Sequence, residues 1–238
     1  MVKNLNKTMN IGVFAYNFPH WKTQQGIQNL ILAGYKPEVI LAADPVQLNF
    51  YQSKIRVSPK DLYLVHPKEI ADRYKILYKV VVHNSKETSD IVKKLDLDLG
   101  IILGARILKP IAFKDFNYGV LNLHPGLLPE NRGLDNIKWA ILDDIPQGVT
   151  THLIDESIDR GRFILKEKIK IYKDDSLIDL NIRIQNLEQK LMVNSIEFLK
   201  EFEPLNVLEE GNYYKSVPEH LEEILDLKFN EYKQKNGE

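Results

Sequence analysis

Two polar side chains at the end of an apolar run are the first feature of this sequence that could do chemistry. The run Tyr118–Leu123 has the composition of a buried strand, and Asn122 and His124 stand two residues apart. That spacing puts both side chains on one face of a strand. Pro125 and Pro129 have no amide donor for a sheet, so the strand is predicted to end here. Its two polar side chains are then located at the end of the strand.

A second apolar run, from Gly148 to Ile154, leads into a turn that carries Asp155 and Asp159 and closes at Gly161. An amide, an imidazole and a carboxylate together suit the transfer of a one-carbon acyl group to an amine. Such a transfer passes through a tetrahedral oxyanion, to which a neutral Asn amide can donate a hydrogen bond. A His titrates near neutrality and can take the amine proton, while a carboxylate fixes its tautomer and stabilises its charged form.

Other interpretations of these residues stay open on spacing alone. The chain contains no cysteine and no Ser within a G-x-S-x-G turn, which favours direct transfer over a covalent enzyme intermediate. Asn-x-His is also an ordinary hydrogen-bonded pair at a sheet end, and aspartates beside a glycine are good turn formers. A metal site is a third interpretation, although no His-x₃-His or Cys pair supports it; its ligands would be His124, His152, Asp155 and Asp159.

The order and spacing of these motifs resemble the folate-dependent formyltransferases, a superfamily that includes the glycinamide ribonucleotide, methionyl-tRNA and sugar N-formyltransferases. The resemblance covers most of the chain and is strongest from about residue 99 to residue 170. It is carried by Asn122-Leu-His124-Pro125-Gly-Leu-Leu-Pro129, Arg132-Gly133, Gly148-Val-Thr-Thr-His152, Asp155 and Asp159-x-Gly161. It implies that Asn122, His124 and Asp159 are the catalytic residues, that the donor is N10-formyltetrahydrofolate, and that no metal takes part.

The resemblance also implies where the folate lies. In the family the pterin ring contacts the segments that match Arg106-Ile107-Leu108 and the loop from Ile154, through Asp155, to Asp159. A cis peptide bond is common at the position of Leu128-Pro129. The sequence departs from the family at Gly126, where many relatives have Ser, and in the two arginines that flank Gly161, namely Arg160 and Arg162.

Composition restricts the class of protein. The chain has 238 residues, of which 44% are hydrophobic, enough to bury a full core in one domain. We predict a catalytic domain over residues 1–203 and a short hairpin and helix extension over 204–238. The net charge of −1 offers no field for nucleic acid or a membrane surface. No apolar run approaches about 18 residues, the N-terminus has no signal-peptide core, and cysteine is absent, so the chain is predicted to be cytoplasmic.

Short apolar runs alternate with helical patterns along the chain, which predicts an α/β fold with a doubly wound, mostly parallel twisted sheet. Sheets of this kind bind ligands beyond the carboxyl ends of their strands. The predicted strands cover residues 10–15, 38–43, 79–83, 99–103, 118–124, 148–154 and 163–171, and the main predicted helices cover 23–33, 85–95, 135–142 and a long stretch from 176.

Several polar residues are candidates for the acceptor side of the site. The loop after the first strand holds Asn17, His20 and Lys22, which could contact an anionic or hydroxylated acceptor, although a solvated loop explains them as well. This loop lacks the glycine cluster of the purine-pathway relatives, which argues against their substrate. Arg132 could hold a phosphate or carboxylate, and Tyr213 could stack on a base, close a dimer or form an edge strand.

The sequence therefore predicts a sugar N-formyltransferase. Gly211-x-Tyr-Tyr followed by Pro218 is similar to a tail of these enzymes, whereas the methionyl-tRNA enzymes carry a further β-barrel domain for which few residues remain. The resemblance implies a nucleotide-linked amino sugar as acceptor, dTDP-4-amino-4,6-dideoxyglucose above all, in surface polysaccharide (O-antigen) synthesis, by a homodimer. The alternatives are a purine-pathway formyltransferase, a formyltetrahydrofolate hydrolase, and a binding module that keeps the fold without turnover.

Overall fold

The computed structural model describes residues 9–47, 53–56, 62–157, 159–205 and 211–238, and a seven-stranded sheet forms its centre. The strands of the described residues, in chain order, are β1 (Ile11–Tyr16), β2 (Val39–Ala43), β3 (Leu77–Val80), β4 (Leu99–Ile102), β5 (Gly119–His124), β6 (Arg132–Gly133), β7 (Gly148–Leu153), β8 (Arg162–Lys168) and β9 (Tyr213–Tyr214). The main sheet has the order β3-β2-β1-β4-β5-β7-β8, and β6 pairs with β9 in a separate sheet of two strands.

The first five strands of the main sheet run parallel, and β7 and β8 are antiparallel to their neighbours. Among these parallel strands, β1, β2 and β4 are short, mostly buried apolar runs, as expected for strands that are covered on both faces, whereas the edge strand β3 is largely exposed. The predicted α/β fold with a mostly parallel, doubly wound sheet is confirmed. Because β5 is followed in the sheet by antiparallel β7, the start of β7 lies beside the end of β5.

Helices cover both faces of the sheet. They are α1 (Trp21–Leu32), α2 (Pro67–Tyr74), α3 (Lys86–Lys94), α4 (Pro110–Phe113), α5 (Asn136–Leu142), α6 (Leu177–Glu201), α7 (Glu219–Glu223) and α8 (Leu225–Asn236). The predicted long helix is α6, whose N-cap residue Ser176 forms a capping box with Asp179. Its predicted apolar stripe is buried throughout, and consists of Leu180, Ile184, Leu187, Leu191, Ile196 and Leu199.

The core has a layer on each side of the sheet. Side chains of α1, α2 and α6 pack on one face, and those of α3 and α4 pack on the other, where Phe14 and Val120 are buried. A third cluster joins α5, α6 and α8, to which α8 contributes Leu225, Phe229 and Tyr232. This cluster attaches the end of the chain to the sheet beside β7, and the division at residue 203 stays a prediction.

Some details differ from the sequence prediction, as at β8, which is predicted to reach residue 171 but ends at Lys168. The strand predicted at 79–83 is β3, at Leu77–Val80, because the chain leaves the sheet after the amide of Val81 binds the carbonyl of Ala42. The pairing of Tyr213–Tyr214 with the loop strand β6, away from the edge of the main sheet, could not be read from either segment alone. Among the helices of the described residues, none combines the length and apolar character that crossing a bilayer requires.

Candidate active site

The register of β5 and β7 places Asn122 directly opposite His152. Asn122 Nδ2 lies 3.2 Å from His152 Nε2. His152 is fully buried, and this loss of hydration, helped by the nearby His124, lowers its pKa to about 4. His152 is therefore neutral at pH 7, and its Nε2 accepts one hydrogen bond from the Asn122 amide. The second N–H of that amide remains for a reacting oxygen.

Each ring nitrogen of His124 has an oxygen atom as its neighbour. Its Nε2 lies 2.7 Å from the carbonyl oxygen of Asn131, and its Nδ1 lies 3.5 Å from Oδ1 of Asp159. A carbonyl oxygen only accepts, so Nε2 carries the hydrogen and the neutral ring keeps its lone pair on Nδ1, beside the carboxylate. The sequence interpretation assigned the choice of tautomer to the carboxylate. The carbonyl of Asn131 makes that choice, and Asp159 stands where it can stabilise a proton on Nδ1.

Asp159 reaches His124 because the loop after β7 folds back over the sheet. β7 ends beside the start of β5, so a carboxylate that contacts the end of β5 has to return along the strands. The backbone of Asp159 is left-handed, with a φ of 53°, and its Oδ2 accepts from the amide of Gly133 at 2.9 Å. Burial acts to raise the pKa of Asp159, but the hydrogen bond and charge of His124 and the Gly133 amide together hold that pKa below its usual value.

The peptide bond Leu128–Pro129 is cis, as the resemblance predicted. The segment that follows it makes contacts that sequence reasoning missed. Asn131 and Asn136 are both buried and brace one another, with Asn131 Nδ2 2.8 Å from the carbonyl of Asn136 and Asn136 Nδ2 3.0 Å from the carbonyl of Asn131. That same Asn131 carbonyl holds His124. A backbone acceptor leaves no mark on the sequence; the available signal was two asparagines on either side of an Arg-Gly turn.

Gly126 makes room for the contact between His124 and Asn131. A Cβ at residue 126 would lie 2.9 Å from both His124 Nε2 and the Asn131 carbonyl oxygen. A side chain here, such as the Ser of many relatives, requires its neighbours to shift. The residue at which this sequence differs from many relatives, Gly126, therefore lies beside the hydrogen bond that sets the His124 tautomer.

The proposed pterin segments meet only in part. Leu108 is buried in one apolar cluster, against which Ile154 packs, so these two predicted contacts lie together. Ile107 is 68% exposed, and Arg106 is also at the surface. Asp155 accepts a hydrogen bond from the amide of Ser157, which shapes its own turn. Ile158, within the predicted folate loop, lies outside the described residues.

The predicted acceptor residues at the end of β1 are each bonded to a different part of the protein. Asn17 Nδ2 lies 2.6 Å from Asp44, and His20 Nδ1 lies 2.8 Å from the Thr23 hydroxyl. Burial, with the charge of Lys22, lowers the pKa of His20 to about 4. Lys22 Nζ lies 2.7 Å from Glu188 on α6, a buried carboxylate, and 3.3 Å from the carbonyl of Leu123, next to the candidate catalytic pair.

Arg132 and Tyr213 face each other across the small β6–β9 sheet. Arg132 is almost fully buried, and its Nη1 lies 3.4 Å from the carbonyl of Gly211. Tyr213 is 49% exposed. Their predicted roles in holding a phosphate and stacking on a base stay predictions. Within the described ranges, no group of three or more His, Asp or Glu side chains has the geometry of a metal site.

Comparison with known proteins decides the family. The sequence model described as "Formyl transferase" matches residues 25–196, which include every residue of the candidate catalytic group. The chain belongs to this family. Among curated relatives, the methionyl-tRNA formyltransferase of Clostridioides difficile (strain 630) is 34% identical over 166 residues, which are 68% of this chain and 51% of that protein. The chain spans about half the length, or less, of the curated relatives it matches first.

Solved structures of formyl transferases share the fold. Glycinamide ribonucleotide transformylase 1 from Symbiobacterium toebii matches with a TM-score of 0.63 and 19% identity over 85% of this chain and 95% of that one. The formyltransferase PseJ from Anoxybacillus kamchatkensis matches with a TM-score of 0.50 and 25% identity over 63% of this chain and 81% of that one. That second structure is a complex with UDP-4,6-dideoxy-4-formamido-L-AltNAc and tetrahydrofolate.

Proposed function

We propose that this formyl transferase moves a formyl group from N10-formyltetrahydrofolate to the amine of a nucleotide-linked amino sugar. The observation that carries the proposal is the contact between His124 Nδ1 and Asp159, 3.5 Å apart, with the Asn122 amide on the same strand face. In the proposed reaction, His124 is the base, Asp159 is its charged partner and Asn122 is the oxyanion donor. The metal alternative of the sequence analysis has no such division of roles.

The proposed reaction needs no covalent enzyme intermediate. The amine nitrogen attacks the formyl carbon, and the carbonyl oxygen becomes an oxyanion to which Asn122 Nδ2 donates its free N–H. His124 Nδ1 accepts the proton that the amine loses, and Asp159 stabilises the resulting imidazolium. The oxyanion then reforms the carbonyl as the bond from the formyl carbon to N10 breaks. N10 takes the proton that His124 received, and the products are a formamide and tetrahydrofolate.

The folate side of the site is proposed on the apolar cluster that contains Leu108 and Ile154. A flat heteroaromatic ring is held by apolar contacts on its faces and by backbone groups at its edge. Ile107 could close over such a ring, because most of its side chain is exposed. Arg106, which is also at the surface, and Asp155 would lie at the rim of this pocket.

The acceptor side is proposed at the end of β1, where Asn17, His20 and Lys22 lie, and at the β6–β9 sheet with Arg132 and Tyr213. The loop after β1 has no glycine cluster, which disfavours the phosphoribosyl substrate of purine synthesis. The complex of the relative PseJ contains a nucleotide-linked 4-formamido-4,6-dideoxy sugar, which supports an acceptor of this class. The dTDP carrier, the O-antigen role, a cytoplasmic location and a homodimer stay predictions.

The test is a panel of acceptors with N10-formyltetrahydrofolate as donor. The panel holds dTDP-4-amino-4,6-dideoxyglucose, the matching UDP-4-amino sugars, glycinamide ribonucleotide and initiator methionyl-tRNA, with release of tetrahydrofolate and the mass of the formylated product as readouts. We expect formamide formation with a nucleotide-linked sugar and none with the other acceptors. Exchange of dTDP for UDP in otherwise identical sugars identifies the carrier.

Three outcomes contradict the proposal. Turnover only with glycinamide ribonucleotide or methionyl-tRNA assigns a different acceptor class. Tetrahydrofolate release at the same rate without any acceptor assigns a hydrolase. Tight binding of a nucleotide-sugar, seen as a raised melting temperature without product, assigns a binding module.

A further inference from the structure

A short segment near the end of the chain is bonded to the loop that holds the candidate catalytic residues. We call residues 211–217 the C-terminal strap and residues 129–135 the site loop. The strap contains β9 and the site loop contains β6, and the two run parallel with Arg132 opposite Tyr213. The amide of Arg132 lies 3.1 Å from the carbonyl of Asn212, and that of Leu134 lies 2.9 Å from the carbonyl of Tyr214.

Further contacts add to this pairing at both ends. The ring of Trp139, on α5, stacks on Tyr214 with centroids 5.0 Å apart, and its Nε1 lies 2.7 Å from the carbonyl of Lys215. Asp135 accepts from the amide of Val217 at 2.9 Å. At the other end, Gly211 approaches the carbonyl of Pro129 so closely that a Cβ at residue 211 would overlap it. The strap is thus fixed along the full length of the site loop.

The other side of the site loop contacts the candidate catalytic side chains. The Gly133 amide donates to Asp159 Oδ2, and the Asn131 carbonyl accepts from His124 Nε2. The amides of residues 132 and 134 point to the strap, whereas the Gly133 amide between them points away from it and donates to Asp159.

We propose that the C-terminal strap is a positioning element for catalysis, which orients Asp159 and His124 through the site loop. This inference rests on the proposed function, because it assigns the strap to the same acyl transfer. The strap residues touch the site loop and not the reacting atoms. Their loss is expected to leave the catalytic side chains present but misdirected, which lowers the rate of the chemical step and leaves binding of the folate donor unchanged.

The backbone conformation of Gly133 depends on contacts from outside the site loop. Its φ is 100°, a conformation that L side chains rarely adopt, and a Cβ there would overlap the carbonyl of Tyr214. A glycine at this position has many accessible conformations when it is unpaired. The neighbouring residues Arg132 and Leu134 both pair with the strap, and this pairing selects the conformation in which the Gly133 amide points at Asp159.

The test uses two variants that disturb the strap and one matched control. Gly211→Ala puts a methyl group against the Pro129 carbonyl, and Tyr214→Ala removes the ring that stacks on Trp139. Lys215→Ala is the control, because that side chain is exposed and the carbonyl that binds Trp139 is retained. Tyr214→Phe keeps the ring and is the rescue variant.

We expect kcat to fall about 10- to 100-fold in Gly211→Ala and Tyr214→Ala, the range for a small misplacement of catalytic groups. KM for the folate donor, whose proposed site lies at Leu108 and Ile154 and away from the strap, should change less than about twofold. Lys215→Ala and Tyr214→Phe should behave as the wild type. The melting temperature of each variant is measured in parallel, to show that the protein remains folded.

A second readout does not depend on turnover. Loss of the Gly133 amide from Asp159 should raise the pKa of that carboxyl, since this contact helps to lower it in the folded protein. The groups that face Asp159 are His124 from β5, His152 from β7 and the Gly133 amide. We expect NMR titration of the carboxyl to show this rise, and hydrogen exchange to show faster exchange of the Gly133 amide, in Gly211→Ala but not in Lys215→Ala.

The two proposals fail in different ways. A wild-type protein without transfer to any acceptor contradicts the proposed function, while the titration and exchange still test the strap. Strap variants whose amides 211–217 exchange freely, yet whose kcat, Asp159 titration and Gly133 exchange match the wild type, overturn the positioning role. A fall in kcat that merely follows the melting temperature across all four variants also overturns it, because a structural role alone then explains the loss.

Discussion

Two regions of this molecule hold polar side chains at strand ends, and they differ in what those side chains bind. Around β5 and β7, the candidate catalytic groups contact each other, as Asn122 contacts His152 and His124 contacts Asp159. At the end of β1, each candidate binds a separate part of the scaffold, as Lys22 binds Glu188. Both regions are partly or fully buried, so burial alone does not distinguish them.

The difference is one of convergence. Side chains that come from different segments and contact one another can share a proton or a developing charge, which is what acyl transfer requires. Side chains tied singly to the scaffold are better placed to hold a loop in shape or to contact a bound substrate. We therefore expect substitutions in the first region to act on the chemical step, and those in the second to act on stability or on KM.

The largest effect is expected at the convergent site. Asn122→Ala and His124→Ala each remove one role in the proposed reaction, and the loss of an oxyanion donor or a general base typically lowers kcat about 10²- to 10⁴-fold. Steady-state kinetics with the acceptor found in the panel, together with a thermal melt, measures this loss. Wild-type kcat in either folded variant would remove that residue from the mechanism, and with it the contrast between the two regions.

Sequence reasoning found the side chains of the site but not the backbone that directs them. Asn122 and His124 could be placed because a period of two and a following proline are visible in the sequence. The spacing of Asp155 and Asp159 did not show which of them would return over the sheet, and the family resemblance was needed to choose Asp159. The Asn131 carbonyl, the Gly133 amide and the strap were missed, because backbone groups and contacts distant in sequence carry no residue signature.

The same limits applied to the fold. Alternating apolar runs and helical patterns predicted the mostly parallel sheet, since its inner strands β1, β2 and β4 are covered on both faces. The predicted end of β3 lies three residues beyond Val80, because the apolar residues continue past the last sheet pairing, with Val82 mostly exposed. The stretch that contains Lys22 has the composition of a polar loop. Its ion-pair partner Glu188 lies 166 residues further along the chain, so the sequence does not show the pair.

A smaller effect, on stability, is expected at the end of β1. Lys22→Met leaves the buried Glu188 carboxylate without its ion pair, and loss of one partner of a buried pair typically costs about 3 kcal/mol of unfolding free energy. The double variant Lys22→Met with Glu188→Gln should recover most of that loss, because no unpaired charge remains. Denaturant unfolding measures both changes. A single variant as stable as the wild type, combined with a large rise in acceptor KM, would make Lys22 a binding residue only.

The smallest effect is expected on the pH dependence of the unfolding free energy, through a buried histidine. His152 and His20 both have a pKa lowered to about 4, chiefly by burial, against an ordinary value of 6.5. A depressed histidine pKa means that the unfolded chain binds a proton first as the pH falls, so the folded state loses stability below about pH 6.5 and the loss is complete near pH 4. Between pH 7.5 and pH 5 this difference is worth about 2 kcal/mol for a single histidine.

His152→Gln removes this titration while an amide oxygen can still accept from Asn122, so the variant should lose about 2 kcal/mol less than the wild type between those pH values. His124 and Asp159 face the His152 ring and are retained in the variant. The exposed His220 provides the control, and His220→Gln should follow the wild type. Equal pH dependence in wild type and His152→Gln would show that the pKa of His152 is not lowered in the folded protein. His152 would then become charged as the pH falls through 6.5, its Nε2 could no longer accept from Asn122 there, and the proposed orientation of that amide toward the oxyanion would lose its support.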